Sequence, residues 1–372
     1  MQKEVPHGTL PYRWLDLIRG LAAVAVFTGH LRVLCIEDTP WAGLSRVGQT
    51  IFFFTGFSHI AVVLFFVLSG FLIIKSIDES THRGNFRVKN YAVNRLSRLW
   101  VVLIPSLLIS LLLDNAGLRY FSDSLFYSGQ YKYFLDVDLH HRLSTIPFLG
   151  NLFFLQTITV PTFGSNGALW SLANEFWYYV IFPMFYFGIT LKNSTPLRIF
   201  LMAAGVLLLF FVGSEIARFF LIWLLGGLSY FLSKKKFNPF FERRWLRFAA
   251  VILFVIFAVI TRSKFYPAVF NNYTVGASFA LLIPFLIKVN ITNIFAVKIS
   301  DFLSNISYTL YLVHLPFIFF VTALFGFQGQ TWSHINLFLL FLFTVGTLLY
   351  AWILWYFFER NTARIKKYFI KR

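Results

Sequence analysis

Ten stretches of this chain stay apolar for some 16 to 23 residues at a time, near 14–36, 58–76, 97–113, 168–190, 197–213, 216–232, 246–261, 271–288, 305–325 and 335–357. A helix crosses the hydrocarbon core of a bilayer in about 20 predominantly apolar residues. Inside that core every backbone polar group has to be satisfied within the segment itself. The predicted fold class is therefore all-α: a polytopic integral membrane protein of about ten transmembrane helices. Composition agrees, at 58% hydrophobic and a mean hydropathy of +0.69, against about 45–50% apolar residues in soluble domains. The 10 Trp and 17 Tyr supply material for interfacial belts. A shorter run, "IPFLGNLFFLQTI" at 146–158, falls short of a span and is expected to be interfacial or re-entrant.

The net charge of +18 would suggest nucleic acid in a soluble protein. Here the basic residues collect in short loops between apolar runs. With the N-terminus inside, 24 of the 33 Lys and Arg fall on the cytoplasmic side and eight outside, while Arg19 sits within the first span. That bias fits the positive-inside rule and an even number of spans with both termini cytoplasmic, so no nucleic-acid partner is expected. The chain reads as a single transmembrane domain over 1–372 with no appended soluble domain and no repeat. The long extracytoplasmic loop at 114–167 carries Asp123, Asp136, Asp138, His140 and His141, and a loop of that length suggests a binding role. "KKKFNPFFERR" at 234–244 and the basic tail at 359–372 are expected to anchor the cytoplasmic side. No cleavable signal sequence is expected, since Arg19 interrupts the first run and no small-residue cleavage site follows it. The lone Cys35 excludes an internal disulfide and argues against a thiolate metal site, and no metal is expected.

Ionisable groups at membrane depth persist mainly where they face a protein interior or a wet path. "WLDLIRGLAAVAVFTGH", residues 14–30, holds three: Asp16, Arg19 and His30. Asp16 and Arg19 are three apart, hence neighbours on a helix. Arg19 and His30 are eleven apart, about three turns, so both project from one face roughly 16 Å apart along the axis. Histidine titrates near neutrality and can take and return a hydroxyl proton. Arginine stays charged and offers a fork of donors to a phosphate or a developing oxyanion. Asp16 either orients Arg19 or only neutralises it.

The "LDLIRG" segment followed by His30, with ten residues between Arg19 and His30, resembles the first-span motif of the bacterial acyltransferase-3 family of integral membrane O-acyltransferases. Further segments similar to that family follow in order: "FFVLSGFLI" at 65–73, "NRLSRLW" at 94–100, "ALWSLANEFWYYVIFP" at 168–183 and "SYTLYLVHLPF" at 307–317. The resemblance implies transfer of an acyl group, most simply acetyl, from cytosolic acyl-CoA (acetyl-CoA as donor substrate, no permanently bound cofactor). The implied acceptor is a hydroxyl of an envelope carbohydrate or lipid-linked glycan, and the implied location is the bacterial inner membrane. His30, Arg19 and Asp16 become the catalytic candidates. Arg19, Arg95, Arg98 and Ser69 become the donor-binding candidates, although Arg95 and Arg98 also fit simple topological anchoring and Ser69-Gly70 also fits close helix packing. Trp170, Glu175, Tyr308, Tyr311 and His314 are candidates for the acceptor side or for supporting the catalytic residues. Glu175 could bind a sugar hydroxyl, partner His30 or snorkel. Tyr308, Tyr311 and His314, at i, i+3 and i+6, share one broad helix face. The rival class is a proton-coupled transporter or a flippase-like component of polysaccharide assembly, against which the chain offers no repeat and no pair of broken helices.

Overall fold

The computed structural model describes residues 12–130, 138–191, 194–234, 238–262 and 268–370. Among them there are helices and turns but no β-strand, only the isolated bridges Ile36–Gln330 and Gln156–Val160. In chain order the helices are α1 (Arg13–Cys35), α2 (Arg46–Thr55), α3 (Ser58–His82), α4 (Val88–Tyr120), α5 (Leu139–Arg142), α6 (Thr145–Leu152), α7 (Trp170–Thr190), α8 (Thr195–Leu232), α9 (Asn238–Phe241), α10 (Arg244–Arg262), α11 (Ala268–Leu286), α12 (Ile294–Leu324), α13 (Leu337–Phe357) and α14 (Thr362–Ile370).

Seven of these helical stretches are long and apolar enough to cross a membrane, so the protein is all-helical and multi-pass. Each of the ten apolar runs falls largely within a helix. The runs at 197–213 and 216–232 share α8, which breaks at Gly213, where φ is 82°. Only glycine visits that region without strain. The run at 97–113 is the middle of a much longer helix. α4 starts nine residues earlier and carries Arg95 and Arg98 inside it, and it continues to Tyr120, into the segment expected to be loop. The run at 146–158 is the short helix α6 followed by turns. Asp136 of the long loop, and residues 235–237 of the basic loop, lie outside the described residues.

The chain divides into two compact units. The first comprises Met1–Val26, Gly56–His82 and Leu221–Tyr308; the second comprises Phe27–Thr55, Arg83–Phe220 and Thr309–Arg372. In the first unit α3 meets the end of α8 backbone to backbone. A Cβ on Gly70 would lie 1.9 Å from the Trp223 carbonyl oxygen, and one on Gly226 would lie 2.0 Å from that of Val67. Small residues at such a crossing replace hydrophobic drive with close packing, the usual means of joining helices in lipid. At the end of α3 the buried Asp78 carboxylate accepts from Tyr230 Oη (2.8 Å) and Lys234 Nζ (2.9 Å).

In the second unit, prolines decide where polar side chains go. Proline has no N–H, so the carbonyl four residues before it loses its helical partner. Pro316 in α12 strips Leu312, whose carbonyl accepts instead from Ser106 Oγ (2.7 Å) and Asn166 Nδ2 (2.7 Å). Pro183 in α7 strips Tyr179, whose carbonyl accepts from Tyr91 Oη at 3.0 Å. Between α6 and α7 the chain folds inward on fully buried amides and hydroxyls. Asn151 donates to the Pro147 and Pro161 carbonyls and accepts from Phe163 N–H, and Gln156 donates to the Leu169 carbonyl. The buried Asp114 accepts the Ser165 N–H at 2.7 Å, and the buried Arg142 donates to the Gly164 carbonyl. The expected long loop is therefore, where described, a hydrogen-bonded scaffold that seats the start of α7.

Candidate active site

His30 lies near the end of α1 and His314 in the middle of α12, 284 residues apart in the chain. His30 Nδ1 and His314 Nε2 are 2.9 Å apart. The ring centroids stand 5.2 Å apart with only 15° between planes, so the imidazoles meet edge to edge rather than face to face. His314 is fully buried, whereas His30 is only partly so. The second nitrogen of His314, Nδ1, is 2.9 Å from the Leu310 carbonyl oxygen. A carbonyl can only accept, so Nδ1 carries the proton and donates. Neutral His314 then has Nε2 as its acceptor. The hydrogen between the rings must come from His30 Nδ1. Proton uptake by His30 is thereby directed to Nε2, on the more accessible ring. A hydrogen bond on one ring nitrogen setting the duty of the other is the general way proteins fix histidine chemistry.

Around this pair the second unit gathers further candidates. The Tyr311 ring lies 6.2 Å from that of His314, and its hydroxyl is 2.7 Å from Ser171 Oγ at the start of α7. One turn further along α7, Glu175 accepts a hydrogen bond from the Tyr179 hydroxyl and lies within electrostatic range of Tyr311. Tyr179 in turn lies within range of Arg95 and Arg98. Lys366 of α14, which packs on α4, is also within range of both arginines. Buried or half-buried polar groups thus continue from two cations on α4, through Tyr179, Glu175 and Tyr311, to the histidine pair. Trp170 packs against Phe219, with centroids 5.4 Å apart.

The first unit holds the other candidates. Arg19 Nη2 pairs with Asp16 Oδ1 at 3.1 Å, as the i, i+3 spacing requires, and donates to the Ser304 carbonyl at 3.4 Å. Ser69 Oγ accepts from Trp223 Nε1 at 3.1 Å, beside the Gly70 crossing. Tyr308 belongs to this unit as well. Arg19 and His30 do lie on one unbroken helix, α1.

Several groups at the site were not singled out from sequence. Ser171, Tyr179 and Lys366 carry no signal of their own. Asn166 and Ser106 could have been found from Pro316, since a proline in a buried helix obliges some neighbour to cap a carbonyl. Among the described residues no group of three or more His, Cys, Asp or Glu could hold a metal ion.

Comparison with known proteins bears on this geometry. A curated protein of Acidianus two-tailed virus, named "Putative acetyltransferase ORF330", is 25% identical over 332 residues, covering 84% of this chain and 86% of the relative. No solved structure matches the chain. The model of the family Acyl_transf_3, described as an acyltransferase domain, matches residues 12–356, from the turn before Arg19 to beyond His314. A match of that extent makes this multi-pass membrane protein a member of the acyltransferase-3 family and an acyltransferase.

Proposed function

We propose that the protein transfers an acyl group, most simply acetyl, from cytosolic acyl-CoA to a hydroxyl of an envelope carbohydrate, with His30 as general base. The observation that carries this reading is the His30–His314 hydrogen bond together with the Leu310 carbonyl, which directs proton uptake to His30 Nε2. As the acceptor oxygen attacks the thioester carbonyl, Nε2 takes the hydroxyl proton. The new C–O ester bond forms, the C–S bond breaks, and the departing thiolate takes that proton to leave as the free thiol. The imidazolium and the negative charge that form together on attack are both discharged when the thiolate takes the proton, and His30 ends neutral as it began.

Arg19, held by Asp16, is assigned to the donor thioester or a donor phosphate, where a permanent cation is wanted. Arg98, with Lys366 nearby, is assigned to the donor phosphates, which favour clustered cations. Ser69 is assigned a packing role beside Gly70 rather than a donor contact. Trp170 is assigned to stacking and Glu175 to hydrogen-bonding on the acceptor side. Ten crossings with both termini on the cytoplasmic side, in a bacterial inner membrane, complete the reading; the charge bias of the loops supports that orientation.

The test is acetyl-CoA consumption by purified protein in detergent, read as thiol release. The native protein should release thiol, and His30→Ala should release none above the uncatalysed rate while eluting and unfolding as the native protein does. Undiminished release by that variant removes His30 from the chemistry, and no release by the native protein with any hydroxyl acceptor favours a carrier.

A further inference from the structure

In α12, His314 stands midway between Pro316 and Leu312, the residue whose carbonyl that proline leaves open. A helix that lacks one hydrogen bond bends there, so the bend is centred on the histidine. At 3.6 residues per turn, Leu312 and Pro316 share one side of the helix and His314 projects from the other. What fills the opening therefore bears on the helix from behind the ring.

Two groups fill it. Ser106 Oγ and Asn166 Nδ2 each donate to the Leu312 carbonyl at 2.7 Å, and Asn166 Nδ2 also donates to Ser106 Oγ at 3.1 Å. A carbonyl can only accept, so the nitrogen end of the Asn166 amide must face it. The one hydroxyl proton of Ser106 goes to Leu312 and its lone pair takes the second Asn166 proton. Both side chains are fully buried. Neither is free to drift. Ser106 follows Pro105 in α4, and its own carbonyl accepts from Ser110 Oγ at 2.8 Å. Asn166 donates its backbone N–H to the Phe163 carbonyl, and Ser165 before it is tied to Asp114.

The arrangement is more than the carbonyl needs. One donor relieves a stripped carbonyl, and Ser106 supplies it. The second comes from another element and leaves its own Asn166 Oδ1 buried without a partner, which costs stability. What the second donor adds is position, since two donors from two elements hold the oxygen in two directions. Position matters at His314 because its contact with His30 is 2.9 Å, and a hydrogen bond is lost by about 3.6 Å. A shift of α12 by less than an ångström breaks it.

We propose that Asn166 and Ser106 are positioning residues for the histidine pair: by clamping the Leu312 carbonyl they set the bend of α12 that brings His314 Nε2 against His30 Nδ1. Both act through His314 rather than on substrate. That this serves acyl transfer rests on the reading of His30 as base; the hold of the clamp on the ring contact does not.

Full-length protein in detergent, labelled with nitrogen-15 in its histidines, reports the ring contact without turnover, and is read beside thiol release and unfolding temperature. Asn166→Leu should turn the single Nδ1-protonated form of His30 into mixed tautomers. It should lower kcat about 10²-fold, the effect of roughly an ångström of misplacement, with little change in donor KM. Pro316→Ala restores the helical N–H to Leu312. Added to Asn166→Leu, it should recover the lost unfolding temperature while tautomers stay mixed and kcat stays low, because the mended helix runs straight past residue 314. Return of tautomer and kcat together with stability would reduce Asn166 to satisfying a carbonyl and overturn the proposal. A single Nδ1 tautomer in folded Asn166→Leu overturns it as well. Should Asn166→Leu not fold, Ser106→Ala, which keeps the Asn166 donor, takes its place: partial mixing and a smaller kcat loss are expected, and a native spectrum overturns the proposal. Mixed tautomers with undiminished thiol release would uphold the clamp and remove His30 as base, so the two readings fail separately.

Discussion

Two hydrogen-bonded clusters of this protein contain histidine, and they are built on opposite principles. In the first unit the buried carboxylate of Asp78 gathers Tyr230 and Lys234, with His82 at the edge, 3.4 Å from Asp78 Oδ1 and 70% exposed. Opposite charge and a hydroxyl satisfy the acid from several sides, which is how a buried charge is made tolerable. In the second unit His30 and His314 meet as two imidazoles, and the geometry settles which nitrogen holds which proton. One hydrogen bond between neutral rings contributes only about 0.5–1.5 kcal/mol to stability. An arrangement that adds little to the fold but fixes a tautomer is suited to chemistry, whereas one that neutralises a buried acid is suited to holding helices together.

The comparison breaks most visibly at His314. Replacing it with Leu removes the acceptor of the His30 Nδ1 proton and frees the ring to hold its proton on Nε2, where it cannot act as base. The expected loss is about 10²–10⁴-fold in kcat, the range of a positioned general base, with little change in donor KM or unfolding temperature. His314→Gln offers a carbonyl oxygen to the same proton and should recover much of that activity. Nitrogen-15 chemical shifts of the His30 ring report the tautomer directly: protonated at Nδ1 in the native protein and in the Gln variant, mixed in the Leu variant. Equal activity of the Leu and Gln variants would reduce His314 to packing.

Asp78→Ala probes the other side. It strands the buried Tyr230 hydroxyl and leaves Lys234 without its carboxylate partner. An unsatisfied buried polar group costs about 1–3 kcal/mol, so the variant should unfold at lower temperature in detergent. Thiol release per folded molecule should hardly move. A kcat loss larger than the stability loss would show that the Asp78 cluster belongs to the catalytic apparatus.

How much of this was readable in advance follows from the range of each interaction. The helical runs were legible because lipid burial is written residue by residue in apolarity, and the Asp16–Arg19 pair because a helix brings i and i+3 together. The full reach of α4 was not, since the polar residues 88–96 break the apolar run without breaking the helix. Nor was the inward-folded segment from α6 to α7, whose order comes from Asn151, Gln156 and Asn166 bonding backbone far from themselves in sequence. His30 and His314 were each visible as costly polar groups. Their union across 284 residues has no local signature. Lys366 looked like one more charge of a basic tail, and only the packing of α14 on α4 brings it near Arg98.

His82→Ala sharpens the comparison at its weakest point. The ring donates from Nδ1 to the Asp78 backbone carbonyl at 2.8 Å and approaches the carboxylate, yet most of its surface is open to solvent. Exposed pairs contribute about 0–1 kcal/mol, because water competes for both partners and salt screens what remains. The variant should therefore unfold within a degree or two of the native protein and turn over donor at the native rate, at low and at high salt alike. Were its destabilisation to match that of Asp78→Ala, the strength of the cluster would lie in the exposed imidazole rather than in the buried hydroxyl and ammonium. The contrast would then narrow, because both clusters would depend on a histidine, the first for holding its helices together and the second for its chemistry.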